Sequence, residues 1–93
     1  MGYAHRIDAN QGEIVEGLRQ LGMPVKIVSM YPGMLDLIIG YQGHLVWVEI
    51  KSRPKAKLTK SEKEVFELFD GYNVVLCYGL DDLLGKLTDG SLW

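Results

Sequence analysis

The sequence has little of what would crosslink a secreted protein or anchor a membrane protein. Its single cysteine, Cys77, excludes an internal disulfide and lies in the apolar run 74–78, which predicts a small core residue in a reducing compartment. No apolar run approaches the roughly 20 residues of a membrane-spanning helix, and the start of the chain lacks a signal peptide's apolar region. We therefore expect one cytoplasmic domain over residues 1–93.

The motifs of several enzyme classes are also missing. The chain has no Walker loop, no Gly-x-Ser-x-Gly nucleophile turn and no dinucleotide fingerprint. His5 and His44 are far apart, and neither stands at a metal-ligand spacing from Cys77. These absences leave the acidic and basic side chains as the candidates for function.

Hydrophobic periodicity and turn residues predict seven elements in the order αβββαβα. The helices are expected over 9–21 with an N-cap at Asp8, from the Thr59 capping box to about 70, and from about 80 onward; the strands are expected over 25–30, 35–40, 45–50 and 72–78. Three consecutive strands followed by a crossover helix and a further strand imply an α/β fold, a mixed sheet flanked by helices.

Charged residues lie where strands usually have none. A two-residue turn at Gln42 and Gly43 would place Asp36 directly opposite Glu49, with Cβ atoms roughly 4.5–5.5 Å apart. Lys51, two residues beyond Glu49, points to the same face.

Two facing carboxylates repel each other, and burial strengthens the repulsion, so a proton or a cation must lie between them. Hard oxygen ligands from two acids suit Mg²⁺ or Mn²⁺, with water completing the coordination, and a neighbouring lysine can hold a phosphate. The alternative interpretation is that these are surface charges on an edge strand, but Trp47 and Val48 indicate a largely buried strand.

A basic stretch follows directly. Although the net charge of the chain is −2, residues 51–63 contain six basic side chains and one acid, Glu62. Such a stretch beside a carboxylate site is what a phosphate backbone would require. A solvated loop that keeps the protein soluble is the other interpretation.

These residues resemble a known family. The segment Gly33 to Asp36, followed thirteen positions after Asp36 by Glu49-Ile50-Lys51, is similar to the signature of the PD-(D/E)xK nuclease superfamily. Together with residues 6–15 (RIDANQGEIV), it resembles the small stand-alone VRR-NUC nucleases of phages and prophages, over about residues 5–88. The resemblance implies a restriction-endonuclease-like core.

The resemblance also implies a function. It predicts a metal-dependent DNA endonuclease that leaves a 5′-phosphate, acts as a homodimer and selects branched DNA such as four-way (Holliday) junctions. Two alternatives stay open: a non-catalytic DNA-binding module, and a nuclease acting on RNA or linear DNA.

Site residues follow from the same resemblance. Asp36 and Glu49 would bind Mg²⁺ or Mn²⁺ directly, with the Ile50 carbonyl as a further ligand, and Lys51 would position the attacking water or stabilise the pentacovalent phosphate. Glu13 matches a family glutamate that completes the metal site, although by itself it reads as an acid complementing the helix dipole.

The family often has a glutamine near the start of the second helix, and Lys63 is the position matched to it here. We interpret Lys63 as a phosphate contact instead. The predicted DNA-binding residues are Arg53, Lys55, Lys57, Lys60 and Lys63. For Met30, Tyr31 and Met34, core packing and a dimer surface both remain open, as does the choice between one metal ion and two.

Overall fold

Seven elements follow one another in the predicted order αβββαβα in the computed structural model, which describes residues 10–93. The helices are α1 (Gln11–Gln20), α2 (Lys60–Leu68) and α3 (Leu80–Thr88). The strands are β1 (Val25–Ile27), β2 (Leu37–Tyr41), β3 (His44–Ile50) and β4 (Val74–Cys77). No helix within residues 10–93 combines the length and the apolarity needed to cross a bilayer.

The sheet is mixed, as predicted, with strand order β1-β2-β3-β4. The pairs β1–β2 and β2–β3 are antiparallel, and β4 joins β3 in parallel after the α2 crossover. Gln42 and Gly43 form the two-residue turn, both with positive φ (49° and 84°), the conformation of a type I′ hairpin. The predicted register is confirmed along β2 and β3, from Tyr41 opposite His44 to Leu37 opposite Val48.

One face of the sheet, the core face, is closely packed. Buried side chains of β2 and β3, such as Leu37, Ile39 and Val48, meet α1 and α3 in one apolar cluster. Cys77 is part of this cluster, and burial raises the pKa of its thiol to about 12. The thiol therefore stays protonated at neutral pH, which agrees with the predicted core role.

The opposite face, the α2 face, is less well covered. Because side chains alternate along a strand, Glu49 points away from its buried neighbours Val48 and Ile50 and towards α2. No residue of α2 is buried. Phe69, directly after the helix, is 45% exposed.

Several element boundaries differ from the predicted ones. β1 ends at Ile27 rather than residue 30, because turns occupy residues 29–33 before the chain enters β2. Leu35 is buried although it precedes β2, so its apolar character reflects core packing outside a strand. At α1 the N-cap residue is Asn10, whose side chain makes no capping hydrogen bond, and the predicted cap Asp8 lies outside the described residues.

Candidate active site

A lysine between two glutamates forms the centre of the site. Lys51, directly after β3, places its Nζ 3.3 Å from Glu49 Oε2 and 3.0 Å from Glu62 Oε1. The side chains are 14%, 3% and 17% exposed respectively. The tertiary fold thus joins the end of β3 to the first turn of α2 through one ammonium group.

Asp36 lies at the same end of the sheet but departs from the regular cross-strand pair that the sequence predicts. The ladder stops at Leu37–Val48, and the Asp36 N–H donates to the Val48 carbonyl at 2.9 Å rather than pairing with Glu49. Its Oδ2 accepts the Ile50 N–H at 2.7 Å. This local shift lets the backbone of β3 hold the Asp36 carboxylate beside Glu49.

Glu49 is the most strongly perturbed acid of the site. Burial raises the pKa of its carboxyl group to about 9, and the nearby Asp36 and Glu62 carboxylates add to this effect, while Lys51 opposes it. Its Oε1 is buried without a hydrogen-bond partner. One ammonium therefore does not supply enough positive charge to keep this buried carboxyl ionised at neutral pH.

Lys51 and Glu62 behave as a charged pair. Burial acts against ionisation of both groups, but the hydrogen bond and the attraction between them outweigh it on the lysine, so the pKa of Lys51 is raised. Hydrogen bonds with the Thr59 N–H, with Glu49 and with Lys51, together with the attraction of the ammonium, lower the pKa of Glu62. In the ion-free protein the ammonium is therefore paired with an ionised Glu62 and contacts a protonated Glu49.

The donor set fits a hard divalent cation with few protein ligands. Within residues 10–93, no three His, Cys, Asp or Glu side chains are grouped so that all could hold one ion. Mg²⁺ is commonly bound through one or two carboxylates with several waters retained. Asp36 and Glu49 supply two carboxylates, and the unpartnered Glu49 Oε1 is a buried lone pair that a cation would satisfy. The residues therefore fit Mg²⁺ or Mn²⁺.

On α1 the buried polar residue is Gln11, whereas the sequence had indicated Glu13. The Glu13 side chain is exposed and, among the described residues, makes no hydrogen bond or ion pair. Gln11 is 3% exposed, and its Oε1 has no partner. Its spacing from Ile14, Val15 and Leu18 places it on the buried stripe of α1, a periodicity that was readable in the sequence.

Glu62 is the site residue that the sequence analysis missed. The capping box of α2 is confirmed, with Glu62 N–H donating to Thr59 Oγ1 and Glu62 Oε1 accepting the Thr59 N–H at 2.8 Å. Its second role, the contact with Lys51, depends on the fold. The sequence signal was that Glu62 is the one acid in the basic stretch.

The predicted DNA-binding side chains are all exposed. Residues 53, 55 and 57 lie in the connection from β3 to α2, and residues 60 and 63 lie in the first turn of α2. The Lys63 backbone N–H donates to the Thr59 carbonyl, but its exposed side chain makes no hydrogen bond or ion pair within residues 10–93. The lysine matched to the family's glutamine therefore points to solvent, while its neighbour Glu62 faces the site.

A groove opens beside the site. A cavity of about 370 Å³ is lined by residues 29–34 on one side and by Thr59, Ser61 and Glu62 on the other. Met30 and Tyr31 are 47% and 56% exposed, so core packing does not account for them. At the hairpin, His44 is exposed, and Trp93 stacks on its ring with centroids 4.4 Å apart.

Comparison with known proteins identifies the fold. No family model matches the chain, and no curated protein matches it. A solved structure described as a VRR_NUC domain superposes with a TM-score of 0.65 at 23% sequence identity, covering 87% of this chain and 91% of that chain. The resemblance found in the sequence is therefore confirmed at the level of the fold: this is a VRR-NUC-like α/β domain.

Proposed function

We propose that this protein is a divalent-metal-dependent DNA endonuclease that hydrolyses phosphodiester bonds at the cluster of Asp36, Glu49 and Lys51. The observation that carries the proposal is Glu49, a buried carboxyl with an unpartnered oxygen, lying beside Asp36 and in contact with a lysine. A buried acid with only a structural role would be costly to ionise, and the nearby carboxylates of Asp36 and Glu62 would not lower that cost.

Asp36 and Glu49 would hold Mg²⁺ or Mn²⁺, with the Ile50 carbonyl as a further donor and Glu13 contributing directly or through water. When bound, the ion neutralises charge on the phosphate and lowers the pKa of a bound water. The hydrogen bond from Ile50 N–H fixes one oxygen of Asp36, so the carboxylate is oriented before any ligand arrives.

The remaining chemistry falls to Lys51. A phosphodiester undergoing attack gains negative charge on its equatorial oxygens, and an ammonium already fixed beside the acids can stabilise that charge without reorganising. The same group can hold the attacking water in line. Because Glu49 and Glu62 both contact Lys51, its long side chain is restrained to this position.

DNA is the proposed substrate because five exposed basic side chains lie in the segment of chain that joins Lys51 to Glu62 and the first turn of α2. They lie on the loop after β3 and on the first turn of α2, next to the groove that ends at Glu62. Arg53, Lys55, Lys57, Lys60 and Lys63 would contact backbone phosphates on either side of the scissile bond.

We further propose that the protein acts as a homodimer and that its substrate is branched DNA. Leu68, Phe69 and Tyr72 expose an apolar surface at the end of α2, with the rings of Phe69 and Tyr72 packed edge to face at 6.3 Å. We call these three residues the α2-end patch. A twofold contact there would give one assembly with two sites, as paired nicks in a four-way junction require. A phage protein acting in the bacterial cytoplasm is the setting that we propose.

Cleavage of a labelled four-way junction beside a linear duplex of the same sequence tests the proposal. Each substrate is incubated with Mg²⁺, Mn²⁺ or EDTA, using the wild type, Glu49→Gln and Glu64→Gln. Glu64 is an exposed acid of α2 and serves as the matched control. We expect metal-dependent nicking, retained by Glu64→Gln and lost in Glu49→Gln.

The outcomes separate the alternatives. Equal cutting of both substrates would keep the nuclease and remove the preference for junctions. Cutting of an RNA strand but not of DNA would reassign the substrate. Tight binding without cutting under every metal would replace the enzyme with a DNA-binding module.

A further inference from the structure

Glu62 is the second carboxylate that holds Lys51, and the start of α2 holds Glu62 in turn. Its Oε1 lies 3.0 Å from Lys51 Nζ and accepts the Thr59 N–H at 2.8 Å, while its own N–H donates to Thr59 Oγ1 at 3.2 Å. The carboxylate is therefore fixed by the capping box of the helix, and it also shares a side-chain hydrogen bond with Glu49.

The two glutamates that contact Lys51 differ in what else they can bind. Glu49 has a buried oxygen without a partner, whereas the Glu62 oxygen that faces the lysine already accepts a backbone N–H. A divalent cation bound to Glu49 would weaken the attraction between that carboxylate and Lys51, and it would repel the nearby ammonium. A flexible lysine side chain with four rotatable carbons would then leave Glu49 unless another anion held it.

We propose that Glu62 is the positioning residue for Lys51, keeping the ammonium beside Glu49 when Glu49 holds a divalent ion. The catalytic role inferred for Glu62 rests on the proposed function, whereas the contact between Glu62 and Lys51 does not depend on it. Glu62 acts through Lys51 and touches neither the phosphate nor the ion. The exposed Lys63, one residue away, has no such role.

Helix capping alone is the competing explanation, and two variants separate it. Glu62→Gln keeps an acceptor oxygen at the third position of the helix, where glutamine also completes a capping box, and it removes the charge. Thr59→Ala removes the capping partner and keeps the charge. If capping were the whole role of Glu62, Thr59→Ala would be at least as harmful as Glu62→Gln.

The first experiment is a double-mutant cycle on junction cleavage with Glu62→Gln, Lys51→Met and both together, with Thr59→Ala as control. We expect Glu62→Gln to lower kcat about tenfold, a part of the roughly 10²–10³ lost with an entire electrostatic donor, with KM for DNA unchanged. In the Lys51→Met background the same change should cost less than about threefold. An equal loss in both backgrounds, or an equal loss in Thr59→Ala, would overturn the proposal.

The second experiment does not depend on cleavage. The ¹H–¹⁵N signal of the Lys51 ammonium is followed by NMR as Mg²⁺ is added to the wild type, Glu62→Gln and Thr59→Ala. We expect the signal to persist at saturating Mg²⁺ in the wild type and Thr59→Ala, and to broaden in Glu62→Gln. Loss of the wild-type signal on Mg²⁺ binding would show that Glu49 was the anchor. A wild type that cleaves no DNA would overturn the proposed function, whereas the NMR result decides the role of Glu62.

Discussion

The core face and the α2 face of the same sheet use their residues in opposite ways. On the core face, α1 and α3 bury an apolar cluster in which Ile14, Leu18, Leu37 and Val46 are completely inaccessible. On the α2 face, the sheet presents a buried glutamate, and the helix above it buries none of its own residues. Apolar packing is concentrated on one face, and the ionisable groups of the candidate site lie on the other.

This division has a physical reason. Ionisable groups are costly to bury, so a face that must hold two carboxylates and a lysine cannot also be filled with close-packed apolar side chains. A small domain can tolerate such a polar face when the other face, here the core face, is closely packed with apolar side chains. The following predictions test the contrast between the two faces.

The largest effect is expected from truncating the core face. Leu18→Ala should lower the free energy of unfolding by about 2–5 kcal/mol, because it leaves a cavity between α1 and the sheet. Leu68→Ala, on the exposed α2 end, should change it by less than about 0.5 kcal/mol in the monomer. Urea unfolding followed by circular dichroism measures both, and similar losses would contradict the one-sided distribution of stability.

Glu49→Gln should separate stability from activity. The folded pKa of about 9 lies above the ordinary value of 4.5, so folding binds the proton more tightly, and the stability of ion-free wild type should fall as the pH rises from about 4.5 to 9. The amide variant should lack this fall while losing cleavage by roughly 10²-fold or more. Thermal unfolding in EDTA across this pH range is the measurement. A wild type whose stability rises with pH would disprove the raised pKa.

Leu68→Asp should weaken the proposed dimer without unfolding the monomer. The side chain is 74% exposed in the single chain, so an aspartate there disturbs only what covers the α2-end patch. Sedimentation velocity should show a shift from dimer to monomer by a tenfold or larger change in Kd, about 1.4 kcal/mol. The exposed Leu21→Asp is the matched control. A wild-type monomer at all concentrations would remove the dimer from the proposal.

Smaller effects are expected from the basic loop. Lys57→Ala should weaken DNA binding similarly for all sequences and reduce the slope of log affinity against log salt by about one unit. Lys26→Ala, an exposed lysine of the edge strand β1 with the same charge change, should leave the slope within experimental error. Fluorescence anisotropy titrations at several salt concentrations test this, and equal slopes for the two variants would argue against a localised DNA surface.

The smallest effect is expected at Glu13. Because this side chain is exposed, Glu13→Ala should lower cleavage by about tenfold, the lower end of the roughly 10–100-fold loss caused by removing an outer partner of a metal site. Mn²⁺ affinity measured by calorimetry, with Glu16→Ala as the control on the same helix, checks the assignment. A loss as large as that of Glu49→Gln would make Glu13 a principal ligand.

Local sequence patterns predicted a large part of this fold. The Gln42-Gly43 turn, the register of β2 and β3, the Thr59 capping box and the start of α3 near residue 80 each depend on residues close together in the chain. Short-range hydrogen bonds and helical spacing determine such features, so they can be read without knowing what packs against them.

The site was less predictable. Asp36 was correctly placed at the end of the hairpin, but its shift out of the ladder, which aims one oxygen at Ile50 N–H, depends on a bend that no local pattern marked. The position of Gln11 on the buried stripe of α1 could be read from its spacing, but Glu13 was the predicted site residue because it fitted a family pattern. Glu62 was recognised as a cap only.

The sequence by itself determined the seven elements, the hairpin register and the position of Asp36, Glu49 and Lys51 at one end of the hairpin, because these follow from residue periodicity and turn chemistry. Only the tertiary structure decided that the first turn of α2 reaches Lys51 and that Glu49 is buried between acids. It also decided that α2 leaves its apolar end exposed. Such contacts join parts of the chain separated by a whole crossover, and their energies depend on burial, which exists only once the sheet and its helices have assembled.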